Sequence, residues 1–132
     1  MSNSPALRSL DAQAYWDGLQ AGRLLIQCCS ACGHYRHYPR PMCPACHSMD
    51  HDWLTVSAVA TLHSWTVLHQ SALPELVGLL PLTLLTVDLP EGVRLLGRLR
   101  PGAHTNLKAG AAVQVSIVRA AAGDPQLQFD WA

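Results

Sequence analysis

Charge and phenylalanine are what this chain has least of. Asp, Glu, Lys and Arg make up only 14% of its 132 residues, and nine basic residues against nine acidic ones leave no net charge. Nothing global therefore draws the protein to nucleic acid or to an anionic lipid surface. Phenylalanine occurs once, as Phe129. A single-strand nucleic-acid binder lines a basic groove with stacking aromatics, and that combination is missing. Catalytic signatures are missing as well: there is no glycine-rich phosphate loop, no His-Glu-x-x-His and no Gly-x-Ser-x-Gly. No apolar run approaches the roughly 18 residues of a membrane span. The most apolar stretch, LPELVGLLPLTLLTVDLP, is interrupted by prolines, a Glu and an Asp. The opening MSNSPALRSLDAQAYW holds no apolar signal-peptide core, so the expected location is cytoplasmic, with no membrane association. Internal repeats and low-complexity tracts are also absent.

What the chain does have is apolar residues, 49% of the total, enough for a real core in one domain or in one domain with a small appended module. So charge-poor a composition leaves apolar surface to cover, which points to a partner. All five cysteines fall in CCSACGHYRHYPRPMCPAC, residues 28–46. An odd count in a reducing compartment argues against a disulfide framework. Cys29-x-x-Cys32 and Cys43-x-x-Cys46 form two knuckles with ten residues between Cys32 and Cys43. In such a turn both sulfurs can face one side, so each knuckle supplies half of a tetrahedral shell and the pair makes a zinc ribbon. A thioredoxin-like redox pair needs a single knuckle in a βαβ setting, which this sequence does not offer. The expected ligands are Cys29, Cys32, Cys43 and Cys46, with zinc the default metal and iron the minor alternative. Four thiolates leave no open position for water or substrate, so the site is expected to be structural. Gly33 lets the first knuckle turn, whereas His47 stands where the second would ordinarily have glycine. Cys28 is left over as a strand residue, and His34, His37, His47 and His51 read as solvated neighbours of a complete shell.

Along the chain, Ala12, Tyr15, Trp16 and Leu19 fall at i, i+3, i+4 and i+7, which predicts an amphipathic helix between Leu10 and Gly22. Ser9 or Asp11 is the expected cap and Gly22 the C′ residue. RLLIQ reads as a short strand. From Trp53 onward five runs have β texture: WLTVSAVATLHSWTVLH, PLTLLTVDL, VRLLGRL, AVQVSIV and LQFDW, separated by Pro, Gly, Asn and Asp. Turn chemistry is expected at 121–125, and a short helix is allowed near 103–109. Five antiparallel strands in so short a segment match a small OB-type barrel better than a sandwich. The expected fold class is thus mainly β, with a helical segment over 1–22, a zinc ribbon over 23–52 and an OB-fold over 53–132.

Three surface features invite a functional reading. If alternation runs unbroken through the first barrel strand, Thr61, His63, Trp65, Val67 and His69 share a face, either a ligand platform or an ordinary barrel wall. Arg94, Arg98 and Arg100 oppose Val93, Leu95 and Leu99, giving a basic stripe able to meet phosphates or a partner's carboxylates, or else a solvated strand face. Gly97 between them lets a backbone or ligand approach. The loop with Leu73, Leu76, Val77, Leu79 and Leu80 is either a plug on the barrel or an interface, and the charge-poor composition favours the interface.

The order of parts resembles a known family. The segments AYWDGLQAGRLLIQCCSACGHYRHYPRPMCPAC, WLTVSAVATLHSWTVLH and LTVDLPEGVRLLGRL, over roughly residues 10–120, are similar to bacterial and archaeal proteins with an N-terminal helix, a rubredoxin-like zinc ribbon and a C-terminal OB-fold, long classed as a domain of unknown function. The resemblance rests on the helix with Trp16, both knuckles and the turn Asp88-Leu89-Pro90-Glu91-Gly92. It implies a non-catalytic accessory subunit. The partner would be a thiolase-superfamily enzyme acting on acyl-CoA (a thiolase, an acyltransferase or a steroid side-chain retro-aldolase), or a MaoC-type hydratase. The four ligand cysteines carry over from the family and no catalytic residue does. Cys28 and His47 are departures that leave the metal assignment intact. On this reading Arg94, Arg98 and Arg100 contact CoA phosphates or the partner. The alternatives are a single-strand nucleic-acid binder, disfavoured by the missing charge and aromatics, and an independent enzyme, for which Cys28 with a histidine is the only candidate pair.

Overall fold

The computed structural model describes residues 12–56, 58–72, 74–103, 107–119 and 125–132, except the side chains at 75 and 76. It divides into two compact units, one of Met1–Ser57, Pro90–Val93 and Ile117–Gln126, the other of Ala58–Leu89, Arg94–Ser116 and Leu127–Ala132. Ser9, Asp11, Leu73, the centre of the 103–109 segment and most of the 121–125 turn lie outside the described residues. No described helix is long and apolar enough to cross a membrane.

The first unit opens with α1, Gln13–Gln20, the helix that the apolar spacing predicts. Gly22 ends it at φ 82. The amide of Gly22 donates to Leu19 O (3.0 Å) and that of Arg23 to Gly18 O (2.7 Å), which satisfies carbonyls the helix would otherwise leave open. Tyr15, Gly18 and Leu19 are buried. A Cβ on Gly18 would stand 2.8 Å from Leu25 Cδ1 and 3.1 Å from Arg23 O, so α1 approaches the following strand closely enough that a side chain at 18 would displace Leu25. That strand is β1, Leu25–Cys29. It pairs antiparallel with β2, Tyr35–Arg36, and with β3, His51–Thr55, in the order β2-β1-β3.

The run from Trp53 to His69 reads in the sequence as one strand, but the structure divides it. Trp53, Leu54 and Thr55 pair with β1 in the ribbon sheet, and the Val56 amide extends that pairing to Leu24 O at 3.0 Å. The barrel begins with β4, Val59–Leu68. Apolar texture identifies extended chain, but it does not say which strand accepts the hydrogen bonds.

Along the chain β4 is followed by α2, Pro74–Val77, and then by β5, Leu82–Asp88, β6, Arg94–Leu99, β7, Ala112–Arg119, and β8, Pro125–Trp131. The strands close a five-stranded barrel in the order β4-β5-β6-β8-β7, as expected of the OB type; β6 and β8 pair parallel, however, so the strands are not all antiparallel as the sequence reading has them. Leu62, Leu85, Val87, Leu95, Val113 and Phe129 fill it, none more than 1% exposed.

The alternation expected along β4 fails at His63. Thr61 and Leu62 oppose Asp88 and Val87, but Ser64 opposes Thr86, so His63 is the extra residue of a β-bulge. Beyond it the faces exchange. Trp65 sits opposite the buried Leu85, whereas Thr61 and His63 lie beside Asp88. The five residues Thr61 to His69 therefore do not share one face. Gly97 does receive a close neighbour, as its lack of a side chain suggests: a Cβ there would lie 2.9 Å from the Phe129 ring.

Candidate metal centre

Two loops of matching geometry bring the cysteines together. In the first, the Gly33 amide donates to Cys29 O and the Cys29 amide to His34 O, each at 2.9 Å. In the second, the His47 amide donates to Cys43 O and the Cys43 amide to Ser48 O, again at 2.9 Å. Gly33 turns the first knuckle at φ 78, and His47 turns the second at φ 67. His47 thus occupies the glycine position in the left-handed conformation that a side chain disfavours.

The sulfurs of Cys29, Cys32, Cys43 and Cys46 all lie within 4.8 Å of one another. The Cys29–Cys46 and Cys32–Cys43 separations are 3.5 and 3.7 Å. A tetrahedral shell with metal–sulfur bonds of about 2.3 Å has sulfur–sulfur edges of about 3.8 Å, so the donor set fits a metal of that size. Each knuckle contributes one buried cysteine, Cys29 or Cys43, and one exposed, Cys32 or Cys46. The Ala45 amide donates to Cys43 Sγ at 3.4 Å, a contact that favours thiolate.

The thiols do not share one proton affinity. The amide of Cys32, helped by that of Ala31, draws Cys29 down to about 6 despite desolvation. Burial pushes Cys43 up, but the Cys46 and Ala45 amides outweigh it and leave the thiol below its ordinary value. The His34 amide favours a Cys32 thiolate, yet desolvation and the three neighbouring sulfurs push it up to about 12. Cys46 is raised as well, chiefly by Cys29 against the pull of the Ser48 amide. The neighbouring sulfurs thus oppose full ionisation of the set, and four thiolates at these distances would be stabilised by a cation among them.

The surrounding residues fall outside this shell. Cys28 is half-buried in β1 with its thiol on the carbonyls of Gly33 (3.6 Å) and Cys29 (3.9 Å). Among the described residues no imidazole lies within hydrogen-bonding reach of it. Among those residues the four cysteines are the one metal-capable group, and no histidine joins them. His37 packs on Tyr15, ring centroids 5.2 Å apart, and burial holds it down to about 4. His51 meets Trp53 edge-on at 5.7 Å.

One element had no motif to announce it. Gln27, 1% exposed, accepts from Arg36 Nε at 2.7 Å and from the Arg40 amide at 2.8 Å. Arg36, 5% exposed, also donates to Arg40 O at 3.0 Å. This buried clamp fastens the return between the knuckles to β1. The signal available was the lone glutamine inside LLIQCC.

The three arginines of the stripe do not behave alike. Arg94 donates to Asp88 at 2.7 Å and its other nitrogen lies 3.3 Å from His63 Nδ1. Arg100 donates to Asp130 at 2.7 Å and, with the Trp131 amide, holds that carboxyl below its usual range. Arg98 is half-buried and has no acceptor among the described residues. In the leucine-rich loop Val77 and Leu79 are exposed. Leu73 and the side chain of Leu76 lie outside the described residues.

Comparison with known proteins agrees with this architecture. The family model of the ChsH2 rubredoxin-like zinc ribbon domain matches residues 16–52, and that of the ChsH2 C-terminal OB-fold domain matches residues 53–118. A chain of the solved structure titled "Ltp2-ChsH2(DUF35) aldolase" is 28% identical with a TM-score of 0.85, over 96% of this chain and 98% of that one. A Sulfolobus solfataricus protein of the DUF35 family shares the fold at 17% identity, with a TM-score of 0.67 over 97% of this chain and 90% of its own. The Thermomonospora curvata "Probable enoyl-CoA hydratase alpha subunit" is 33% identical over 86% of this chain. The Mycobacterium tuberculosis 3-oxo-4,17-pregnadiene-20-carboxyl-CoA hydratase alpha subunit is 32% identical over 83%. The chain spans about a third (34%) of the length of these two curated relatives.

Proposed function

Since the chain belongs to the ChsH2 family of zinc-ribbon and OB-fold proteins, we propose that it is a non-catalytic accessory subunit that binds and completes a thiolase-like enzyme acting on acyl-CoA. The observation that carries this reading is the match, over nearly the whole of both chains, to a chain of the Ltp2-ChsH2(DUF35) aldolase. The two hydratase alpha subunits support acyl-CoA as the substrate class and make a MaoC-type hydratase the second kind of partner. The exposed Val77 and Leu79 beside a charge-poor surface supply apolar area for docking.

On this reading residues 1–22 are a helical segment, 23–52 the ribbon and 53–132 the barrel, all in the cytoplasm. Cys29, Cys32, Cys43 and Cys46 hold Zn²⁺. With four protein donors the metal offers no site for substrate, and it contributes the folding free energy of a segment too small for its own core. Arg94, Arg98 and Arg100 are the polar contacts of the barrel, towards the partner or towards the CoA thioester.

The test is affinity purification from native extract, with mass spectrometry and metal analysis of the eluate. The expected outcome is a stoichiometric thiolase-like or hydratase-like subunit and one zinc per chain, the zinc lost in Cys43→Ser. Recovery of the chain alone, or with nucleic acid, would refute the accessory role.

A further inference from the structure

Arg98 stands in a regular row across the barrel wall. Thr66 on β4 pairs with Leu84 on β5, Leu84 with Arg98 on β6, and Arg98 with Gln128 on β8. The neighbouring row runs from Ser64 through Thr86 to Leu96. Residues directly opposite in a sheet share a face. This face is the outward one, because Leu95 and Leu99, on either side of Leu96 and Arg98, point into the core. Around Arg98 the wall is therefore uncharged and partly apolar, with Leu96 52% exposed.

At the edges of this patch two of the three stripe arginines already hold carboxylates, Arg94 with Asp88 and Arg100 with Asp130. Three guanidiniums less two carboxylates leave a single positive charge, and it belongs to Arg98. Its guanidinium is partly desolvated by burial, yet an arginine does not shed its proton. A half-buried cation with no acceptor among the described residues is suited to one supplied from outside.

We propose that the barrel face centred on Arg98 is a docking surface for the partner protein, and that Arg98 receives one carboxylate of that partner. This rests on the accessory-subunit reading and deepens it. The charge arithmetic selects a carboxylate over the phosphates of CoA. A pyrophosphate with a further phosphate carries several negative charges and needs several free cations, whereas here Asp88 and Asp130 flank the one arginine of the stripe that the described residues leave without a carboxylate. A carboxylate matches a net charge of one and takes the planar, two-pronged geometry of guanidinium. The uncharged surroundings suit the desolvated centre of a protein interface.

The test uses the complex isolated with the wild-type chain. Arg98→Gln should bind the purified partner subunit at least about 30-fold more weakly, the lower range for truncating a desolvated charge pair, while its melting temperature as a free chain stays near wild type. Arg98→Lys, incubated in the complex with a zero-length carbodiimide, should yield a cross-link from position 98 to an Asp or Glu of the partner, located by mass spectrometry. Unchanged affinity of Arg98→Gln, or a complex that forms without any cross-link from position 98, would overturn the inference and leave the accessory role standing. Calorimetric titration of the free chain with CoA distinguishes the other anion: binding that Arg98→Gln abolishes would overturn the carboxylate assignment. Failure to recover any stoichiometric subunit would overturn both readings together.

Discussion

Replacing Gly97 with alanine tests the packing of the barrel at a single atom. The new Cβ would stand 2.9 and 3.0 Å from Phe129 Cε2 and Cζ and 3.3 Å from Leu127 Cβ, where ordinary contact begins near 3.4 Å. Phe129 is fully buried, so its ring has no free volume into which to retreat. Gly97 is not in the left-handed region, so the penalty is steric alone. Overpacking of this kind costs about 1–3 kcal/mol, and the stiffer unfolded chain of the alanine variant returns roughly 0.4–1 kcal/mol. A net loss of about 1–2 kcal/mol should lower the melting temperature by roughly 3–10 °C in a chain of this size. Urea unfolding followed by circular dichroism would measure it. The decisive comparison is with Phe129→Leu, which removes the two ring atoms that collide. In the double variant the methyl group occupies space the ring has vacated, so the combined loss should fall short of the sum by about 1 kcal/mol or more. Strict additivity, or an alanine variant as stable as wild type, would refute the reasoning.

The other predictions concern the ribbon. Gln27→Leu strips the acceptor from Arg36 and the Arg40 amide and should cost about 2–4 kcal/mol, whereas Gln27→Leu with Arg36→Met should recover most of that in the same denaturation assay. His47→Gly should stabilise the second knuckle by about 0.5–1 kcal/mol by relieving its left-handed backbone, and Gly33→Ala at the matching position should destabilise by about as much, both read from urea midpoints. His37 titrates at about 4 when folded because it is buried, against roughly 6.5 when unfolded. Between those values the unfolded chain binds the extra proton, so the neutral ring's contribution is complete above pH 6.5 and disappears as pH falls towards 4. Wild type should lose on the order of 1–3 kcal/mol more than His37→Phe across that window.

The four-cysteine cluster was legible because Cys-x-x-Cys repeated at close range leaves sulfur little freedom in where it points. The barrel was legible from five β-rich runs between turn residues, and the arrangement of Val93, Leu95 and Leu99 against the arginines held because no irregularity interrupts β6. Two features escaped for different reasons. His63 carries no mark of a bulge, since an inserted residue changes hydrogen-bond register without changing composition, and the face assigned to Trp65 and Val67 was inverted as a result. The Gln27–Arg36 clamp joins residues nine apart across a strand pair, and the spacing of two polar residues does not predict that both will be buried. The engagement of Arg94 and Arg100 likewise depends on β5 and β8 delivering Asp88 and Asp130 to the right rungs.

The irregularity at His63 bears on how β4 tolerates change in length. In a regular strand the loss of one residue turns every later side chain to the opposite face. Here the strand already carries one residue more than its partner requires between Leu62 and Ser64. Deleting His63 would restore plain alternation and leave Trp65 and Val67 facing as they do now. Deleting Thr66 instead, where the strand is regular, would turn Val67 to the opposite face. Length variation in this strand should therefore concentrate at one position, and an alignment of sequences across it should open its gap there.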